Sequence, residues 1–270
     1  MLRLENSGVD TKPKLMTHKS FCEKIAKQAG QIIRQNFHGS MKKVWKSNAT
    51  PVTKTDIAIN RLVIKEIKKY FSGQDVLGEE QSHRKNRGKM LWVCDPVDGT
   101  IPFSHGVPTC VFSLALVNDG RPILGVIYDP FMDRLVYAEK GKGATLNGKK
   151  IRVNKQGMKR AAYNWESGRL MLPVQKKFPG CFPFRFNSFI YGSMLVATGE
   201  LVASLYTWKY AHDAASVKII VEEAGGKVTD MYGREQRYDR QVKGCLVSNG
   251  LVHDGLVKVI RQYEKGWETY

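Results

Sequence analysis

The sequence predicts an α/β protein built as a single compact unit from two halves, and three observations lead there. Apolar residues at helical spacing open the chain, short apolar runs separated by turn chemistry fill its middle, and helical spacing returns in its last third. The 270 residues, 42% of them hydrophobic, are enough for a large buried core. A boundary near Lys155 divides an N-terminal α+β half, 1–155, from a C-terminal α/β half, 156–270.

Over residues 17–37, Phe21, Ile25, Ala29, Ile32, Ile33 and Phe37 recur at three- and four-residue steps, which predicts an amphipathic helix stopped by Gly39. A second helix is expected over 56–70, with Ile59, Leu62, Val63, Ile67 and Tyr70 on one side and Asp56 as its N-cap. Val76 and Leu77 form a short strand leading to Gly78, Glu79 and Glu80. A charged loop over 84–89 precedes a strand at 91–94.

Two apolar runs, 111–117 and 122–128, flank Asn118, Asp119 and Gly120, which is hairpin chemistry. Two more strands flank 141–143, and Asn147-Gly148 turns the chain into a run at 151–153, so this stretch reads as an antiparallel meander. Residues 157–183 mix aromatics, prolines and basic residues without a period. A helix is expected over 194–204, weakened by Gly199. A better one is expected over 213–224, capped by Asp213, with Ile219, Ile220 and Val221 inward and Gly225-Gly226 as its end.

The formal charge is +18, with clusters at Lys42, Lys43 and Lys46, at Arg84, Lys85, Arg87 and Lys89, and at Lys149, Lys150 and Arg152. Such an excess favours anionic partners. No zinc-finger spacing, aromatic RNA-binding signature or basic heptad array accompanies it, so a phosphate-bearing small molecule fits better than specific nucleic-acid recognition. The five cysteines are scattered and form no C-x-x-C pair, which argues against a disulfide framework and against zinc. No apolar run approaches the roughly 18 residues of a membrane span, and the polar first residues lack a signal-peptide core. The expectation is a cytoplasmic protein.

The chemistry gathers where the strand at 91–94 runs into Asp95-Pro96-Val97-Asp98-Gly99-Thr100. Pro96 restricts its own backbone and that of the residue before it, so both carboxylates can converge at the strand's end. Gly99 lets the main chain approach a ligand, and a helix starting near Thr100 would turn unpaired N–H groups toward an anion. Asp56, Glu79 and Asp213 also stand at element ends, where open sheets gather sites. Oxygen ligands of this kind suit a hard divalent cation such as magnesium. Asp56 and Asp213 each have a plainer reading as a helix N-cap, but Asp95 and Asp98, paired carboxylates beside a buried strand, would repel unless something positive joined them.

These residues resemble the inositol monophosphatase superfamily of magnesium-dependent, lithium-sensitive phosphatases. The resemblance rests on G-E-E at 78–80, D-P-V-D-G-T at 95–100, and H-D-A-A followed by E-E-A-G-G within 212–226, and its order and spacing extend from about residue 21 to 260. It implies a layered α/β/α/β/α sandwich of the inositol monophosphatase and fructose-1,6-bisphosphatase type, commonly a homodimer, holding two or three Mg2+ ions. By resemblance, Glu79, Asp95 and the carbonyl of Val97 are ligands of a first metal, and Asp95, Asp98 and Asp213 of a second. Asp56 pairs with Thr100 to deprotonate a water, and the N–H groups of Gly99 and Thr100 hold the phosphate.

The implied function is a metal-dependent phosphomonoesterase for a small ester, with inositol-1-phosphate as the first substrate and no membrane partner. The chain departs from the pattern at His212, where the family usually has tryptophan, and at Ser216, where it has glycine. In inositol-specific members a glutamate touches the ring hydroxyls, and Tyr206 falls there. Asn187 and Ser188 fall where the family has a glycine-serine segment. Arg185, Lys209 and Tyr206 would suit a second anionic group, so fructose-1,6-bisphosphate, histidinol phosphate and 3'-phosphoadenosine 5'-phosphate are rival substrates. The rival of another class is a catalytically silent binder of RNA or other polyanions.

Overall fold

A computed structural model describes residues 16–37, 44–45, 51–84 and 88–264. Gly39, the cluster of Lys42, Lys43 and Lys46, and Lys85 and Arg87 of the charged loop lie outside the described residues. The chain begins with α1 (His18–Gln35), capped by the Thr17 side chain, followed by the two-residue strands β1 (Val44–Trp45) and β2 (Pro51–Val52) and by α2 (Lys54–Tyr70). Then come β3 (Asp75–Gly78), β4 (Met90–Asp98) and the single-turn α3 (Thr100–Ser104). The meander follows as β5 (Val111–Asn118), β6 (Arg121–Asp129), β7 (Arg134–Glu139), β8 (Gly143–Leu146) and β9 (Lys149–Lys150). The remainder is β10 (Ala162–Trp165), α4 (Gly168–Lys177), β11 (Phe182–Phe184), α5 (Phe189–Ala197), β12 (Ala203–Tyr206), α6 (Ala215–Glu223), β13 (Lys227–Thr229), β14 (Cys245–Ser248) and α7 (His253–Glu264).

Strands β3 to β9 form one seven-stranded sheet in sequence order, and a five-stranded sheet runs β11-β10-β12-β14-β13. Side chains alternate across the first sheet as the pleat demands. Trp92 and Cys94 of β4, with Leu114 and Leu116 of β5, meet Phe21, Ile25, Ile33, Ile59, Val63 and Ile67 of α1 and α2. Leu91, Val93, Ala115 and Val117 face the other way, onto α5 and α6. Those two helices also cover the inner face of the second sheet through Val228 and Val247, while α4 and α7 close its outer face over Tyr163, Trp165, Leu205 and Leu246. The expected α/β/α/β/α sandwich is therefore present. Because the first sheet is covered on both faces, its strands read as continuous apolar runs.

The close approach of α6 to β6 depends on Gly125: a Cβ there would sit 2.8 Å from Ile219 Cγ2 and 3.2 Å from the Ser216 backbone. Ser216, buried, faces that contact.

Several sequence expectations need correction. The helix expected over 194–204 is α5 at Phe189–Ala197, and 203–204 already belong to β12. The strand expected over 151–153 is the short β9 at Lys149–Lys150. Asp56 is the third residue of α2, not its N-cap; Thr53 is the cap. Asp213 lies in the turn before α6, whose N-cap is Ala214. The aperiodic stretch 157–183 contains β10, α4 and most of β11. All five cysteines are free and buried, as their scatter predicts. No helix among the described residues is long and apolar enough to cross a membrane.

Candidate active site

Strand β4 is central, paired in parallel with β3 and antiparallel with β5. Proline cannot donate to a ladder, so in a central strand it is tolerated at a bulge. The register shows one: Asp95 pairs with Ser113 and Asp98 with Val111, three steps on β4 against two on β5. The bulge breaks strict alternation and lets Asp95 and Asp98 serve one place. Gly99 then turns the chain at φ 89° into α3; a Cβ there would lie 2.7 Å from the Thr109 carbonyl oxygen. The first amides of α3 have no partner inside the helix.

Asp95, Asp98 and Asp213 each offer a carboxylate oxygen, and the three oxygens lie within 4.8 Å of one another. Asp56, Glu79 and Glu80 form a second such group. Asp95 is 2% exposed and accepts the Val97 N–H at 3.0 Å. Asp98 is held from afar: its Oδ2 accepts the N–H groups of Ile190 at 2.7 Å and Tyr191 at 3.3 Å, and the Ser188 hydroxyl. It thereby caps α5, which has no side-chain cap of its own. Thr53 donates both its N–H, at 2.9 Å, and its hydroxyl to Asp56 Oδ2. That leaves Asp56 Oδ1 facing Thr100, whose hydroxyl lies 3.4 Å from it and 3.0 Å from the Val97 carbonyl.

The electrostatics follow from burial and like charge. The Asp56 carboxyl is pushed up to about 7, by burial first and also by Glu79 and Glu80, against the lowering hydrogen bonds from Thr53. Burial and Asp213 push Asp98 up to about 8 while Ser188 and Ile190 oppose. Asp95 is raised well above the carboxylate range by burial first, then by Glu79, Asp98 and Asp213. Among the described residues no lysine or arginine pairs with Asp56, Asp95 or Asp98. Clustered carboxylate oxygens of this kind fit a hard divalent cation.

The structure therefore brings Asp56 to Thr100 and gathers Asp95, Asp98 and Asp213. Glu79 is grouped with Asp56, and its charge reaches Asp95. Glu80 joins that group without having been singled out in the sequence, although it stands in the same G-E-E run. Asn187, at φ 51°, directs its N–H toward Glu166, and Ser188 serves Asp98. Tyr206 is turned inward, its hydroxyl donating to Asp213 Oδ2. His212 stacks on Tyr210 at 5.3 Å, with Nε2 3.8 Å from Asp213 Oδ1.

A family model described as the inositol monophosphatase family matches residues 16–265. The chain belongs to the inositol monophosphatase family. Among curated relatives, the fructose-1,6-bisphosphatase/inositol-1-monophosphatase of Thermotoga maritima is 33% identical over 256 residues, covering 92% of this chain and 97% of the relative. A histidinol-phosphatase of Chlorobaculum parvum is 30% identical over 256 residues, covering 89% and 95%. Among solved structures, an IMPase of Thermotoga maritima matches with a TM-score of 0.84 at 30% identity, covering 93% of this chain and 99% of that one. As a member of the inositol monophosphatase family the chain is a metal-dependent phosphatase, and its clustered carboxylates suit that dependence.

Proposed function

We propose that the chain hydrolyses a small polyol phosphate of the inositol-1-phosphate kind, using Mg2+. The observation that carries this reading is the convergence of Asp95, Asp98 and Asp213 within 4.8 Å, beside the Asp56–Thr100 pair. Glu79, Asp95 and the Val97 carbonyl would hold one cation, and Asp95, Asp98 and Asp213 another, while Glu80, grouped with Asp56 and Glu79, would offer an oxygen to a third. Bound Mg2+ would neutralise charge on the attacking and leaving oxygens and acidify the attacking water.

The chain's own residues handle the proton. Thr100 is a poor base alone, but its hydroxyl can take a proton from water if it passes its own to Asp56 Oδ1, 3.4 Å away. Thr53 keeps the other Asp56 oxygen occupied and so aims Oδ1. The N–H groups of Gly99 and Thr100 are the phosphate donors in this scheme. Asn187 stands at the entrance to α5 as a substrate contact, with Ser188 behind it supporting Asp98. The reading includes a homodimer in the cytoplasm.

The relatives named above act on fructose-1,6-bisphosphate, inositol-1-phosphate and histidinol phosphate, so the ester is the open variable. Phosphate release from those three and from 3'-phosphoadenosine 5'-phosphate, with Mg2+ and then with chelator, tests it. The expected result is chelator-sensitive release, fastest from inositol-1-phosphate. Salt-sensitive RNA binding without release from any ester would favour the polyanion-binding rival.

A further inference from the structure

Tyr206 closes β12 and is 5% exposed, its ring stacked on Phe189 at 5.0 Å and 26°. Its hydroxyl accepts the N–H of Tyr210 at 3.3 Å, which commits that contact to the oxygen lone pair. The phenolic proton is then directed at Asp213 Oδ2. Asp213 needs such a partner. It lies in a turn ahead of α6 rather than in the helix, and the His212 imidazole stands 3.8 Å from the other oxygen.

We propose that Tyr206 is a positioning residue: its hydroxyl locks Oδ2 of Asp213 and so presents Oδ1 to the cation, an inference that rests on the metal reading above. The site repeats this device. Asp98 has Oδ2 locked by Ser188, Ile190 and Tyr191, and Asp56 has Oδ2 locked by Thr53, each leaving one oxygen for chemistry. Outer partners that orient a ligating carboxylate typically contribute as much to metal affinity as this geometry suggests. The same commitment removes the Tyr206 hydroxyl from the substrate. A phenol that gives its only proton to Asp213 and accepts from Tyr210 has no donor left for the hydroxyls of a sugar or polyol ring.

Tyr206→Phe keeps the ring and its stacking on Phe189, so it isolates the hydroxyl. Mn2+ titration of the substrate-free protein, read from the electron paramagnetic resonance of the free ion, is expected to show affinity weakened roughly 10- to 100-fold. KM for the ester at saturating metal stays unchanged. In a double-mutant cycle, adding Tyr206→Phe to Asp213→Asn costs no further Mn2+ affinity, because the hydroxyl acts only through that carboxylate. A raised KM with unchanged Mn2+ affinity would overturn the proposal in favour of a substrate contact. Additive losses in the cycle would overturn it in favour of a general structural role. Failure of the wild-type chain to bind Mn2+ at all would overturn the metal reading itself, and this inference with it.

Discussion

Asp98 Oδ2 accepts the backbone N–H of Ile190 at 2.7 Å across 92 residues of sequence. One carboxylate thus serves both as a candidate cation ligand and as the cap of α5, and segments far apart in the chain meet at the site through it. Asp98→Ala is therefore expected to expose the first turn of α5 as well as to impair turnover. Hydrogen exchange of the Ile190 and Tyr191 amides should accelerate, with a loss of about 1 kcal/mol for the missing cap. Unchanged protection of both amides would refute the capping role.

Thr100 and Asp56 form the proton path. Thr100→Ala and Asp56→Asn are each expected to lower kcat by about 10²- to 10⁴-fold at saturating Mg2+. Thr100→Ser, which keeps the hydroxyl, should retain most of the rate. Combining Thr100→Ala with Asp56→Asn should cost little beyond either alone, since both residues act in one step. Steady-state phosphate release from the four variants checks this.

His253 is fully buried at the start of α7, between the hydroxyls of Thr229 at 3.0 Å and Ser248 at 2.9 Å. Burial first, then Lys227 and Lys218, push its imidazole down to about 4 from the ordinary 6.5, against Asp254 and Glu235. The unfolded chain then binds this proton more tightly than the folded one. The stability from this group is complete above pH 6.5 and is lost as pH falls toward 4. The gap corresponds to about 3 kcal/mol at most. The raised carboxyls of Asp56 and Asp98 act in the opposite sense, so the comparison must be with His253→Gln. Urea midpoints from pH 7 to pH 4 should fall more steeply for the wild-type chain than for the variant.

Much of this was legible in the residues. Helices α1 and α2 each turn one face to the sheet and leave the other wet, so their apolar stripes show the helical period; β4 to β6 are long, and a turn with Asp119 and Gly120 joins β5 to β6. Helix α5 is different. Its residues 189–197 lie between two sheets, with Phe189, Ile190, Met194, Val196 and Ala197 buried, so no polar face marks its bounds. Strands β10 and β11 are short and parallel, paired only at residues far apart in sequence, and leave no alternation to read. Acids at helix starts were ambiguous for a physical reason: Asp56 and Asp213 occupy places where a cap is favourable, yet Thr53 caps α2 and Asp213 faces the cluster. D-P-V-D-G-T was readable because its proline and glycine constrain the backbone locally. The partner of Tyr206 was not, because residue type alone does not say which way a phenol points.

In the proposed site Asp95 stands where the cation and the phosphate would meet. The most direct measurement is Mg2+-dependent phosphate release by Asp95→Asn, alongside its thermal unfolding. Removing one of several crowded buried carboxylates relieves repulsion, so the metal-free variant should unfold no earlier than the wild-type chain while its release falls to the chelator background. Unimpaired release by a folded Asp95→Asn protein would contradict the account.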